Sequence, residues 1–158
     1  MGKKAREVAG SNGAEIIADL NRAYCDEWLA FYSYWYMAQT VTGPGYEDMA
    51  EFLEDIAKQE LEHAQELANR IQELGGLPLA NPLLLEKNAN APYPQPPAKT
   101  SDYRAIVEVV TRAEAGAIEV YDKIAKKTLG KDEVTYQLAT HILAEEVQHE
   151  EKFEDLLG

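Results

Sequence analysis

Apolar residues recur at mixed spacings of three and four over four long stretches of the chain, with polar residues between them. The first, about 12–42, contains AEIIADLNRAYCDEWLAFYSYWYMAQTV. The second, about 46–74, contains YEDMAEFLEDIAKQELEHAQELANRIQEL and stops at Gly75-Gly76, a usual helix end. The third, about 101–128, opens at TSD, a good cap, and the fourth, about 132–157, opens at Asp132. No stretch alternates with period two long enough for a strand. The pattern predicts an all-α fold whose helices are each on the order of 40 Å long.

Proline sets the connections. Six of the seven prolines, Pro78 to Pro97, lie in the segment about 75–100, and the seventh, Pro44, lies in TGPGYED. Short loops after the first and third helices imply two antiparallel hairpins. The crossover between the second and third helices, about 25 residues, is long enough to cross a bundle from end to end. The expected architecture is a four-helix bundle running up-down-down-up, with that one long crossover. NPLLLEKN inside the crossover predicts a short helix, with Asn81 as cap and Pro82 at its first position.

The first helix carries WLAFYSYWYM, six aromatics within the nine residues from Trp28 to Tyr36. A helix apolar on every side is buried on every side, so a face of this one is expected to meet another copy of the chain. The plainer alternative is a bulky core.

The length of 158 residues suits a single domain, 1–158, with a sizeable core. The net charge of −13, from 28 acidic and 15 basic residues, opposes nucleic acid or an anionic membrane as a general partner and favours cations. One cysteine, Cys25, excludes an intrachain disulfide framework or a CxxC site. It stands two residues from Glu27, on nearly the opposite face, and reads as a small buried apolar residue. MGKKAREVAG has no apolar run behind its basic residues, and Arg6 breaks the myristoylation pattern. With no apolar run near the roughly 20 residues of a membrane span, the expectation is a soluble, cytoplasmic protein.

Against this background the histidines matter. Glu60 and His63 form Glu-x-x-His in QELEHA, and Glu146 and His149 form a second in EEVQHE. Residues three apart share a helix face. In a chain with 20 glutamates one such pair is weak evidence, and an acidic solvated face is its bland reading. Register strengthens it. If the first hairpin turns near residue 44, Glu27 and Glu60 come level; if the second turns near 130, Glu114 and Glu146 do too. All four then sit at mid-height. Each hairpin also has a tyrosine seven residues, or two turns, after its first glutamate: Tyr34 after Glu27, and Tyr121 after Glu114. The repeated pattern, Glu-x6-Tyr then Glu-x-x-His, implies a duplication with a pseudo-two-fold axis through the site.

Four carboxylates in an apolar interior repel one another and lose hydration, at a cost of several kcal/mol per ion. Two divalent cations cancel their charge. A mixed oxygen and imidazole shell suits iron, manganese or zinc without thiolates. The candidate metal ligands, and with them the candidate catalytic residues, are Glu27, Glu60, His63, Glu114, Glu146 and His149. Tyr34 and Tyr121 read either as core or as hydrogen-bond donors to the ligand carboxylates. Glu145, Glu150 and Glu151 fall off the ligand face and read as solvated. His141 has no glutamate three before it and reads as an exposed or interface histidine.

The stretches LNRAYCDEWLAFYSY, ELEHAQELANRIQELGGLP and ILAEEVQHEEKFEDLL resemble helices of the ferritin superfamily. TLGKDEVTYQLATHILAEEVQHE resembles the Dps-like group that has a bacterioferritin-type dinuclear site. The resemblance covers nearly the whole chain. It implies a ferroxidase with two iron ions per subunit, oxidising Fe(II) with hydrogen peroxide or oxygen and storing ferric mineral in a hollow homo-oligomeric shell. Bacterioferritins place a haem-ligating Met after the glutamate of the second helix; Leu61 stands there, so no haem is expected. Shells of 24 subunits usually have a fifth helix, and its expected lack favours 12. The third helix lacks the cysteine pair of many Dps-like relatives. Lys3, Lys4 and Arg6 make a short basic tail, so DNA binding is expected to be weak or absent. Two other readings remain. A non-storing di-iron or di-manganese enzyme (peroxidase, catalase or hydroxylase) keeps the metals, although a rubrerythrin-like peroxidase would need an extra glutamate where Ala117 stands. A metal-free helical interaction module leaves the level carboxylates unexplained.

Overall fold

The computed structural model describes residues 2–157. Among them all regular structure is helical. Helix α1 (Lys3–Ala9) leads through a 3-10 turn, Gly10–Asn12, into α2 (Gly13–Thr40), and α3 (Tyr46–Glu73) follows after a short turn. In the crossover, a 3-10 turn, Pro82–Leu84, runs into α4 (Leu85–Asn88); α5 (Tyr103–Thr128) and α6 (Glu133–Leu157) complete the chain. Among the described residues there are six α-helices, where four with no fifth were expected. Helix α1 falls on the basic segment read from sequence as a tail, where the Lys4 ammonium meets Glu7 at 2.6 Å, three residues on, a pairing that supports a helix. The short helix anticipated in NPLLLEKN is divided: Asn81 caps the 3-10 turn, accepting from the Leu83 N–H at 3.0 Å, and α4 continues from it as a single turn.

The helix ends follow their local chemistry. Asp102 caps α5 by accepting from Ala105 N–H at 3.1 Å. Helix α3 ends at Gly75, whose φ of +92° is one that residues with a Cβ rarely adopt. The next residue must also be small. A Cβ on Gly76 would lie 2.7 Å from Ile17 Cγ2.

Two apolar clusters fill the interior. One joins Ile16, Leu20 and Ala23 of α2 to Leu67 and Ile71 of α3, Tyr121 and Ile124 of α5, and Ala139 and Ile142 of α6. The other joins Tyr34 and Met37 to Leu53 and Ile56, to Ile106 and Val110, and to Phe153. The first cluster takes the early part of α2 and α6 and the late part of α3 and α5. So α2 and α6 run one way and α3 and α5 the other. Between the clusters, every long helix has a gap in its apolar stripe. Those gaps hold Glu27, Glu60 with His63, Glu114, and Glu146 with His149, making a polar layer between two apolar ones.

Two polar devices fix this frame. Buried Arg70 of α3 donates to both carboxylate oxygens of Asp132, at 2.9 and 3.1 Å, and to Thr135 Oγ1 at 2.9 Å, stapling α3 to the start of α6. Asp26 accepts from the backbone N–H groups of Asn90 and Ala91, at 2.8 and 3.2 Å, and ties the crossover to α2. Cys25 is fully buried, and burial, then the Asp26 charge, pushes its thiol up to about 11. No helix among the described residues is long and apolar enough to cross a membrane.

Candidate metal centre

All six predicted ligands are buried and converge. They form two groups of four whose ligand atoms lie within 4.8 Å of one another: Glu27, Glu60, His63 and Glu146; and Glu60, Glu114, Glu146 and His149. Glu60 and Glu146 belong to both. The arrangement is a pair of adjacent sites, each with one private glutamate, one private histidine and two shared glutamates.

The imidazoles turn Nδ1 inward. His63 Nδ1 lies 3.0 Å from Glu146 Oε1 and 3.7 Å from Glu27 Oε2. His149 Nδ1 lies 3.2 Å from Glu114 Oε2 and 3.3 Å from Glu60 Oε1. Yet His63 Nδ1, Glu60 Oε1 and both Glu146 oxygens are buried without a well-formed hydrogen bond. Buried polar atoms of a protein interior are normally satisfied. Two further atoms of this kind, Trp28 Nε1 and Thr111 Oγ1, belong to none of the six residues, but most of the shortfall falls on the two shared carboxylates and one inward imidazole nitrogen. That placement, with four carboxylates and two imidazoles as donors, fits a pair of divalent cations.

The tyrosines are hydrogen-bond donors, and they act crosswise. Tyr34 of α2 donates to Glu114 Oε1 of α5 at 2.5 Å, and Tyr121 of α5 donates to Glu27 Oε1 of α2. Each bond leaves the second oxygen of its carboxylate free to face the centre. The exchange between helices is what a two-fold axis through the site requires.

Protons compensate the charge of the metal-free cluster. Burial, then the charges of Glu60 and Glu146, holds the carboxyls of Glu27 and Glu114 well above the usual range. Burial acts upward on Glu60 too, but both histidines outweigh it and hold Glu60 low. Burial acts downward on the histidines. The carboxylates around them prevail, so His63 is strongly raised and His149 is raised to about 11.

Two neighbours were missed in the sequence. Glu145 is not simply solvated: its Oε2 lies 2.6 Å from the outward Nε2 of His63. Gln59 Oε1 lies 3.1 Å from the outward Nε2 of His149. Both immediately precede a shared glutamate, and that adjacency was the available signal. His141 is about half exposed, with Nε2 3.5 Å from Glu66. On the side away from the histidines, a cavity of about 650 Å³ lies between α2, α5 and the crossover, lined by all four ligand glutamates and by Ala30, Ala113 and Gly116.

An all-helical frame with a doubled Glu-x-x-His centre defines a class, and comparison with known proteins gives the same one. The model of the ferritin-like domain matches residues 17–158, and the chain belongs to the ferritin-like family. It is 34% identical over 154 residues to the DNA protection during starvation protein of Pyrococcus furiosus, covering 96% of this chain and 81% of that protein. Among solved structures, it resembles a dodecameric thioferritin, the bacterioferritin-related protein of Bacteroides fragilis. The TM-score is 0.93 at 35% identity, over 99% of this chain and 93% of that one. It also resembles the Desulfovibrio desulfuricans bacterioferritin, described with a diiron site, at a TM-score of 0.77 and 25% identity over 99% of this chain and 82% of that one.

Proposed function

We propose that the protein is a ferroxidase and iron-storage protein of the Dps-like group, a single ferritin-like domain that assembles into a cytoplasmic shell of 12 copies. The observation that carries this reading is the pair of buried four-residue groups sharing Glu60 and Glu146. Glu27 and His63 would hold one iron position and Glu114 and His149 the other, with the shared Glu60 and Glu146 available to both. Bound there as substrate, Fe(II) would supply the electrons for reduction of peroxide or oxygen and be left as Fe(III). The chain's part is electrostatic and positional. Four carboxylates match the charge of two Fe(II) ions, and Tyr34 and Tyr121 keep Glu27 and Glu114 aimed inward. The carboxylate-lined cavity is the side from which small reactants reach the centre.

The dodecameric description of the Bacteroides fragilis relative supports the shell. So do the exposed aromatics of α2, Tyr32, Trp35 and Tyr36, which a neighbouring copy would cover. A non-storing enzyme would share the centre but would not need the shell.

The direct test is Fe(II) oxidation by peroxide, followed by ferric absorbance under anaerobic mixing. Wild-type protein oxidises about two Fe(II) per chain in a fast phase. Glu60→Ala, which removes a shared ligand, abolishes that phase. Equal fast phases in the two proteins would rule out the assigned centre.

A further inference from the structure

The two halves of the centre match in their inward ligands but not in what stands behind the histidines. His63 on α3 turns its outer nitrogen to Glu145 of α6, and His149 on α6 turns its outer nitrogen to Gln59 of α3. These backing residues occupy equivalent places, each just before a shared glutamate on the opposite helix. One is a carboxyl group and the other a neutral amide. Gln59 is held in orientation, because its Nε2 donates to the Asp55 carbonyl at 3.2 Å and so leaves Oε1 to face the imidazole.

A carboxylate accepting from the outer N–H pushes electron density through the ring and makes the inner nitrogen a stronger metal donor; a neutral amide does this less. The contact is also shorter on the carboxylate side, 2.6 against 3.1 Å. We propose that Glu145 is a positioning residue that makes the Glu27–His63 position the tighter of the two, so that the pair fills in order, that position first and the Glu114–His149 position second. The proposal rests on the metal reading of the site and adds an inequality that the duplicated ligand pattern alone would not have. Glu145 is partly exposed, and its other neighbour, His141 Nε2, is 3.9 Å away. Solvent therefore moderates the effect, and a difference of about tenfold is expected, the lower end for outer-shell partners.

The test is an anaerobic titration of the metal-free protein with Co(II), followed by calorimetry and visible absorbance. His63→Ala and His149→Ala assign each step. Wild-type protein binds two ions in separate steps, and His63→Ala removes the tighter. Glu145→Gln keeps a hydrogen bond but not the charge; it weakens the first step about tenfold and leaves the second in place. Gln59→Glu tightens the second, and the double variant reverses the order. Two ions bound with unchanged affinities in Glu145→Gln would overturn the proposal, as would an equal loss at both steps. Wild-type protein that binds no Co(II) would overturn the metal reading beneath it and the proposal together.

Discussion

On the proposed function, protons and metal ions would compete for the same side chains at the centre. In the metal-free protein, Glu27, Glu114, His63 and His149 all have raised affinity for protons, with His149 at about 11. A group with a raised pKa keeps its proton at neutral pH, and a ligand must give that proton up to bind a cation. Metal binding near pH 7 therefore releases protons, and affinity falls as pH falls. Calorimetry in buffers of different ionisation enthalpy should show more than one proton released per chain; heats independent of the buffer would refute this. The convergence of the six inward side chains was legible because three-residue spacing and hairpin register are properties of the sequence. Glu145 was not. It sits one position from Glu146, about 100° round the helix, and only its long side chain brings the carboxylate back to His63. The crosswise tyrosine bonds needed the relative placement of α2 and α5, which spacing along one helix does not contain.

At the scale of elements, the four long helices were legible because glycine, proline and capping residues mark their ends. Asp132 was read as a helix opener, and it does accept from Thr135 N–H at 3.2 Å. Its larger role, pairing with Arg70, was hidden, since it depends on how the end of α3 sits against the start of α6. Removing Asp132 takes away the buried counter-charge of Arg70 and leaves it the half-exposed Glu73, 2.8 Å from its Nη1. Asp132→Ala should destabilise the protein by about 3 kcal/mol in denaturant unfolding, the lower end for a broken buried pair. A loss below about 1 kcal/mol, the range of an exposed pair, would show that Arg70 finds water instead. Helix α1 escaped notice because seven residues with few apolar positions leave little periodicity to detect.

For the whole molecule, charge and surface act together. A net charge of −13 per chain repels nucleic acid and draws cations, and the proposed shell would repeat that charge over its surface. The basic residues at the start of α1 are partly spent locally, since both Lys3 and Lys4 face Glu7. In a gel-shift assay at about 0.15 M salt, a condition that screens weak attraction, duplex DNA should migrate unchanged. A saturable shift at micromolar protein would contradict this. On the proposed function, the buried carboxylate–histidine centre feeds a mineral store, and the quantity to measure is ferric iron retained per chain after anaerobic Fe(II) loading and peroxide addition. Tens of soluble ferric ions per chain are expected; retention that stops at about two would leave a dinuclear centre without storage and contradict the claim.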